Sequence, residues 1–133
     1  MRKLKCIMLI DDNPNDNFFH ERVIKKCNAA EVVVVKQSGK SALEYLRSNG
    51  GDEQPHPTLI FLDVNMPGMN GWEFLEEYQH EPAIFKSSVI VVILSTSENP
   101  DDQAEALRRN ADFITKPLTP ETLEGVMTRY PLM

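Results

Sequence analysis

Two cysteines in 133 residues are too few for a disulfide framework. Cys6 falls inside an apolar run and Cys27 closes a helical stretch, so both read as buried hydrophobes rather than reactive thiols. No apolar run is longer than 89–94, far short of a membrane span. Arg2, Lys3 and Lys5 precede an apolar stretch that is too short for a leader and ends in two acids; the cytoplasm is the expected compartment. Positive charge is scarce: 14 Lys and Arg stand against 20 Asp and Glu, a net charge of −6. Such a chain lacks the basic face that a phosphate backbone requires, so nucleic acid is not an expected ligand. His20, His56 and His80 show no ligand spacing, which argues against a histidine metal centre. Repeats, low-complexity tracts and interdomain linkers are also missing. The expectation is one domain over 1–133 with no output module attached.

What is present is an alternation. Apolar runs predict strands near 5–10, 32–36, 58–62, 89–94 and 112–115; periodic segments predict helices near 14–27, 40–48, 71–79, 100–110 and 120–130. Five strand–helix units predict an α/β fold, a doubly wound five-stranded parallel sheet with helices on both faces. Val32 to Val35 and 89–94 read as strands buried on both faces. Asn13-Pro14, Asn99-Pro100 and Thr119-Pro120 each put a cap residue before a proline suited to the first helical position. Leu123, Val126, Met127 and Tyr130 form a helical stripe, and Trp72, Leu75 and Tyr78 form another.

The apolar runs end in chemistry. The first is followed by Asp11-Asp12. The third, Leu59-Ile60-Phe61-Leu62, is followed by Asp63, with Pro67-Gly68 forcing a turn. The fourth runs into Ser95-Thr96-Ser97, and Phe113-Ile114-Thr115 into Lys116-Pro117. In an open parallel sheet, ligands bind outside the carboxyl ends of the strands where strand order reverses. An order of 2-1-3-4-5 sets Asp11 and Asp12 against Asp63. Three carboxylates that close repel unless a cation lies among them, and an all-oxygen pocket suits Mg²⁺, with the Asn65 backbone carbonyl a further ligand. Asp63 is then either a ligand alone or also a nucleophile toward a phosphoryl group. Lys116 can reach a phosphoryl oxygen, and Ser95 can donate to another. A cis peptide at Lys116-Pro117 would fix the lysine's direction.

Plainer readings exist for each residue. Asp11-Asp12 could simply cap the first helix. Ser95-Thr96-Ser97 could be a polar loop, Lys116 a surface charge, and Trp72 and Phe113 core residues. Asp101-Asp102 and Glu76-Glu77 read as solvated faces or helix-dipole acids. It is the set at successive strand ends that favours a site. Two other functions use parts of this pattern. An Mg-dependent aspartyl-phosphate phosphatase places a second acid two residues after its nucleophile, where this chain has Asn65. An FMN carrier needs a phosphate-binding loop after strand 1, where two acids would repel the phosphate.

Asp11-Asp12, Asp63 with Asn65-Met66-Pro67-Gly68 and Asn70-Gly71, Ser95 and Lys116-Pro117 together resemble the receiver domain of two-component response regulators. The resemblance runs from about residue 5 to 130 and implies the flavodoxin-like fold with five helices. It implies Mg²⁺ held by Asp12, Asp63 and the Asn65 carbonyl, with Asp11 assisting, and Asp63 as acceptor of a phosphoryl group from a sensor histidine kinase or phosphotransfer protein. It further implies a switch in which Ser95 and Phe113 move together and alter the surface of the fourth helix, fifth strand and fifth helix for a protein target. The chain is then a signalling phosphoprotein, monomeric or dimerising on phosphorylation, that catalyses at most its own phosphorylation and dephosphorylation. The Asn49–Pro57 segment is longer than in the shortest receivers and is similar to that of regulators paired with phytochrome-type kinases. Thr96 stands where many receivers have alanine. Asn65 and Ser97 are poor bases for activating water, so a long-lived phosphoryl group is expected.

Overall fold

In the computed structural model, residues 3–48, 55–81 and 89–130 are described. Only 55–57 of the expected 49–57 loop, and none of the tail past Tyr130, fall within them. Ten elements alternate: β1 (Leu4–Ile10), α1 (Pro14–Lys26), β2 (Ala30–Lys36), α2 (Gly39–Arg47), β3 (Leu59–Leu62), α3 (Gly71–His80), β4 (Ile90–Ser95), α4 (Pro100–Arg108), β5 (Asp112–Thr115) and α5 (Pro120–Arg129). The sheet is parallel throughout, in the expected order β2-β1-β3-β4-β5.

The period-two alternation of a strand divides its side chains between two cores. Met8, Ile10, Ile60, Leu62 and Ile93 pack with Leu43 and Leu46 of α2, Phe74 and Leu75 of α3 and Ala106 of α4. Ile7, Leu9, Phe61, Val92 and Leu94 face the other way, onto Ile24 of α1 and Leu123 and Val126 of α5. Burying each large apolar side chain contributes about 1.5–3 kcal/mol. That gain offsets the cost of charged groups at the strand ends.

The helix starts are built as the sequence leads one to expect. Asn13 accepts from the backbone N–H of Asn15 and Asp16, Asn99 from Asp101 and Thr119 from Thr122, each with proline in the first turn. Helices α1 and α4 end earlier than their periodicity predicts, at Lys26 and Arg108, each followed by one cap residue and then an asparagine with positive φ, Asn28 at 54° and Asn110 at 57°. The Lys116–Pro117 bond is cis.

Two expectations need correction. β2 lies at a sheet edge, so Val32 to Val35 are only half-buried rather than covered on both faces. On α3 the buried stripe is Phe74, Leu75 and Tyr78; Trp72 is half-buried and turns its indole N–H to Asp102.

Candidate functional site

Register brings the polar strand ends together. Ile10 pairs with Leu62, and the next residue continues the ladder, with Asp63 N–H donating to the Ile10 carbonyl at 3.0 Å. Lys116 N–H likewise donates to the Ser95 carbonyl at 3.0 Å. Asp11, Asp63, Ser95 and Lys116 thus lie along one edge of β1, β3, β4 and β5. Behind Asp63 the chain is held tightly. A β-carbon on Gly71 would fall 2.7 Å from the Asp63 carbonyl oxygen and 2.8 Å from Val64 Cα, so only glycine lets α3 start there. Gly68, at φ 75°, makes the turn between them.

The site is a buried charge cluster. Asp11, Asp63 and Ser95 are buried, whereas Asp12 and Asn65 are exposed at the mouth. Lys116 Nζ donates to Asp11 Oδ2 at 2.5 Å, to Asp16 Oδ2 at 2.8 Å and more distantly to Asp63 Oδ2 at 3.5 Å. Burial pushes the Asp63 carboxyl above its ordinary value, with Asp11 adding to it; Lys116 and the Ser95 and Asn65 donors pull the other way. Burial opposes the Lys116 charge, but Asp11, Asp16 and Asp63 hold it protonated, above the ordinary lysine value. His20 is buried close by, and burial lowers its pKa below 6.5.

One carboxylate oxygen from each of Asp11, Asp12 and Asp63 lies within 4.8 Å of the others. This all-oxygen, anionic group, two of its members buried, fits a hard divalent cation such as Mg²⁺. The plainer readings of Asp11 and Lys116 do not hold. Asn13, not Asp11, caps α1, while Asp11 Oδ1 accepts from the Asn13 N–H at 3.0 Å and its other oxygen meets the lysine. The Lys116 side chain is 8% exposed and is no surface charge.

Two participants are not singled out by sequence. Asp16, in the first turn of α1, offers only the signal of a helix-dipole acid, yet it grips Lys116. Asp102 is more than a solvated acid: it accepts from Trp72 Nε1 at 3.1 Å and from Ser97 Oγ at 2.5 Å, and Ser97 N–H donates to Ser95 Oγ at 3.2 Å. Phe113 is half-buried against the α3 side of the core and lines an open groove of about 470 Å³ with Ala104, Leu107 and Thr115.

A parallel sheet wound in this order, with acids after β1 and β3, a hydroxyl closing β4 and lysine after β5, defines a receiver-type signalling domain. The family model "Response regulator receiver domain" matches residues 7–128, and the chain belongs to that family. It is 33% identical over 99 residues to the response regulator Rcp1 of Synechocystis sp., a match covering 74% of this chain and 66% of that protein. A two-component response regulator from Cytophaga hutchinsonii superposes with a TM-score of 0.83 at 32% identity, covering 96% of this chain and 97% of the other. The phosphorylated cyanobacterial phytochrome response regulator RcpA superposes with a TM-score of 0.72 at 30% identity, covering 95% and 90%.

Proposed function

We propose that this receiver domain takes a phosphoryl group onto Asp63 from a sensor histidine kinase or phosphotransfer protein, and so controls its binding to a downstream protein. The observation that carries this reading is the buried Asp63 carboxylate, which lies within reach of Asp11, Asp12 and the Lys116 ammonium together. Asp12, Asp63 and the Asn65 carbonyl would hold Mg²⁺, with Asp11 assisting. When bound there, the cation would supply neutralisation of charge on the phosphoryl oxygens and of the repulsion among the carboxylates.

The chain's own groups account for the rest. An Asp63 oxygen forms a bond to phosphorus as the bond from phosphorus to the donor's imidazole nitrogen breaks; the donor ring, already protonated on its other nitrogen, takes the electron pair of the broken bond and leaves as neutral imidazole. Lys116 donates to a phosphoryl oxygen, trading its contacts with Asp11 and Asp63 for it. The Ser95 hydroxyl turns toward another, which releases the Ser97 N–H it now accepts. Phe113 repacks in the groove beside α4, altering the α4–β5–α5 surface. Phenylalanine has no hydroxyl, so the signal is ring burial alone. Acting in the cytoplasm, as a monomer or a dimer formed on phosphorylation, the protein changes its partners rather than turning over a substrate. Ser97 Oγ is already committed to Asp102, and Asn65 is no base, which supports a phosphoryl lifetime of minutes or longer.

Incubation with acetyl phosphate and Mg²⁺ should add one phosphoryl group, seen by intact mass and mapped to Asp63, and Asp63→Asn should abolish it. A mass that does not change refutes the reading. Steady hydrolysis of a phosphomonoester past one equivalent would instead point to a phosphatase, and decay of the label within seconds would refute the long lifetime.

A further inference from the structure

We propose that Asp16 is a positioning residue that aims Lys116 at the phosphoryl group, a role that rests on the phosphoacceptor reading above. An ammonium has three N–H donors. Lys116 commits two of them to Asp11 and Asp16, at 2.5 and 2.8 Å, and reaches Asp63 only at 3.5 Å. Of these three acids, Asp11 and Asp63 belong to the carboxylate trio able to take a cation; Asp16 does not. A cation drawn into the trio competes with Lys116 for Asp11 and Asp63, and Asp16 stands outside that competition. It therefore stays as the partner of an ammonium whose side chain is only 8% exposed, where an unpaired charge would be costly.

Local structure suits Asp16 to this. The Asn13 cap accepts from the Asp16 backbone N–H at 3.3 Å, and Pro14 fixes the first helical residue, so the carboxylate is presented from a rigid first turn. One N–H of Lys116 stays with Asp16, and the other two are left over the notch for phosphoryl oxygens. A plain helix-dipole acid would affect stability only, and would do so whatever stood at position 116.

The test is a double-mutant cycle read by acetyl phosphate labelling at saturating Mg²⁺. Asp16→Ala should slow labelling about tenfold. Asp16→Asn, which keeps an oxygen acceptor, should recover most of the rate. In a Lys116→Ala background, Asp16→Ala should have no further effect, because the residue acts through the lysine. Equal slowing in both backgrounds, or an Asn variant no faster than Ala, overturns the proposal. Solvent exchange of the Lys116 ammonium, followed by ¹⁵N NMR in metal-free protein, gives a readout free of phosphoryl chemistry. Exchange should quicken in Asp16→Ala and stay slow in Asp16→Asn; no change in Asp16→Ala overturns the role. A wild-type protein that is never labelled defeats the phosphoacceptor reading instead, and the exchange measurement still decides the part played by Asp16.

Discussion

Lys116 and Arg109 each gather carboxylates, yet they sit in different surroundings. Lys116 is 8% exposed at its side chain and meets Asp11 and Asp63, themselves 6% and 8% exposed. Arg109 is 22% exposed; it pairs with Glu105 at 2.6 Å and Glu76 at 3.5 Å, the latter 59% exposed, and its guanidinium lies 5.9 Å from the centre of the Trp72 ring. Around Arg109, water can replace any partner that is lost. Around Lys116, water reaches Asp16, 37% exposed, but hardly Asp11 or Asp63, so the charges of Lys116, Asp11 and Asp63 depend on one another. The same ion-pair chemistry therefore ties down a corner of the surface in one place and builds a largely buried charge cluster in the other.

The largest test of this contrast is Lys116→Met in metal-free protein. It strands buried carboxylates and should cost about 3 kcal/mol in urea unfolding. Millimolar Mg²⁺ should return part of that loss. A loss no greater than that from Arg109→Ala would erase the distinction. Next comes Mg²⁺ itself on the wild type, which should stabilise by about 2 kcal/mol if it binds only the folded state. Asp12→Ala should remove most of the rise in melting temperature; an unchanged rise would place the cation elsewhere.

His20 sharpens the comparison through pH. Its folded pKa is depressed by burial, with Lys116 adding to the effect. The unfolded chain therefore binds the proton more readily, and stability is full above the ordinary histidine value and lost as pH falls below it. His20→Leu should flatten the stability profile between about pH 7 and pH 5. An unchanged slope would assign that pH dependence to the carboxylates. The smallest effect belongs to Arg109→Ala, which should lower the melting temperature by no more than about 2 °C, less still in high salt.

Much of this was legible from sequence because a parallel sheet writes its core as apolar runs and its site at their ends. Asp11, Asp63, Ser95 and Lys116 could be named together since each follows such a run, and register brings them together. Asn13, Asn99 and Thr119 could be named as caps because the proline beside each is itself a signal. The failures share a cause. Val32 to Val35 read as fully covered, since composition does not say which strand becomes an edge. Trp72 does pack against the core and Asp102 does stand in a first helical turn, but the hydrogen bond between them was hidden, since partners thirty positions apart leave no local trace. Asp16 carries no local sign beyond that of any acid in a first helical turn.

Gly71 carries one more consequence. With no room for even a methyl group between the first residue of α3 and the Asp63 carbonyl, the backbone of the proposed phosphoacceptor is seated tightly from behind. Alanine there would force the end of β3 and the start of α3 apart, and the error would appear as a displaced Asp63 carboxylate rather than as a missing functional group. Tolerance at this site is thus set in part by a hydrogen atom on the far side of Asp63 from its carboxylate partners.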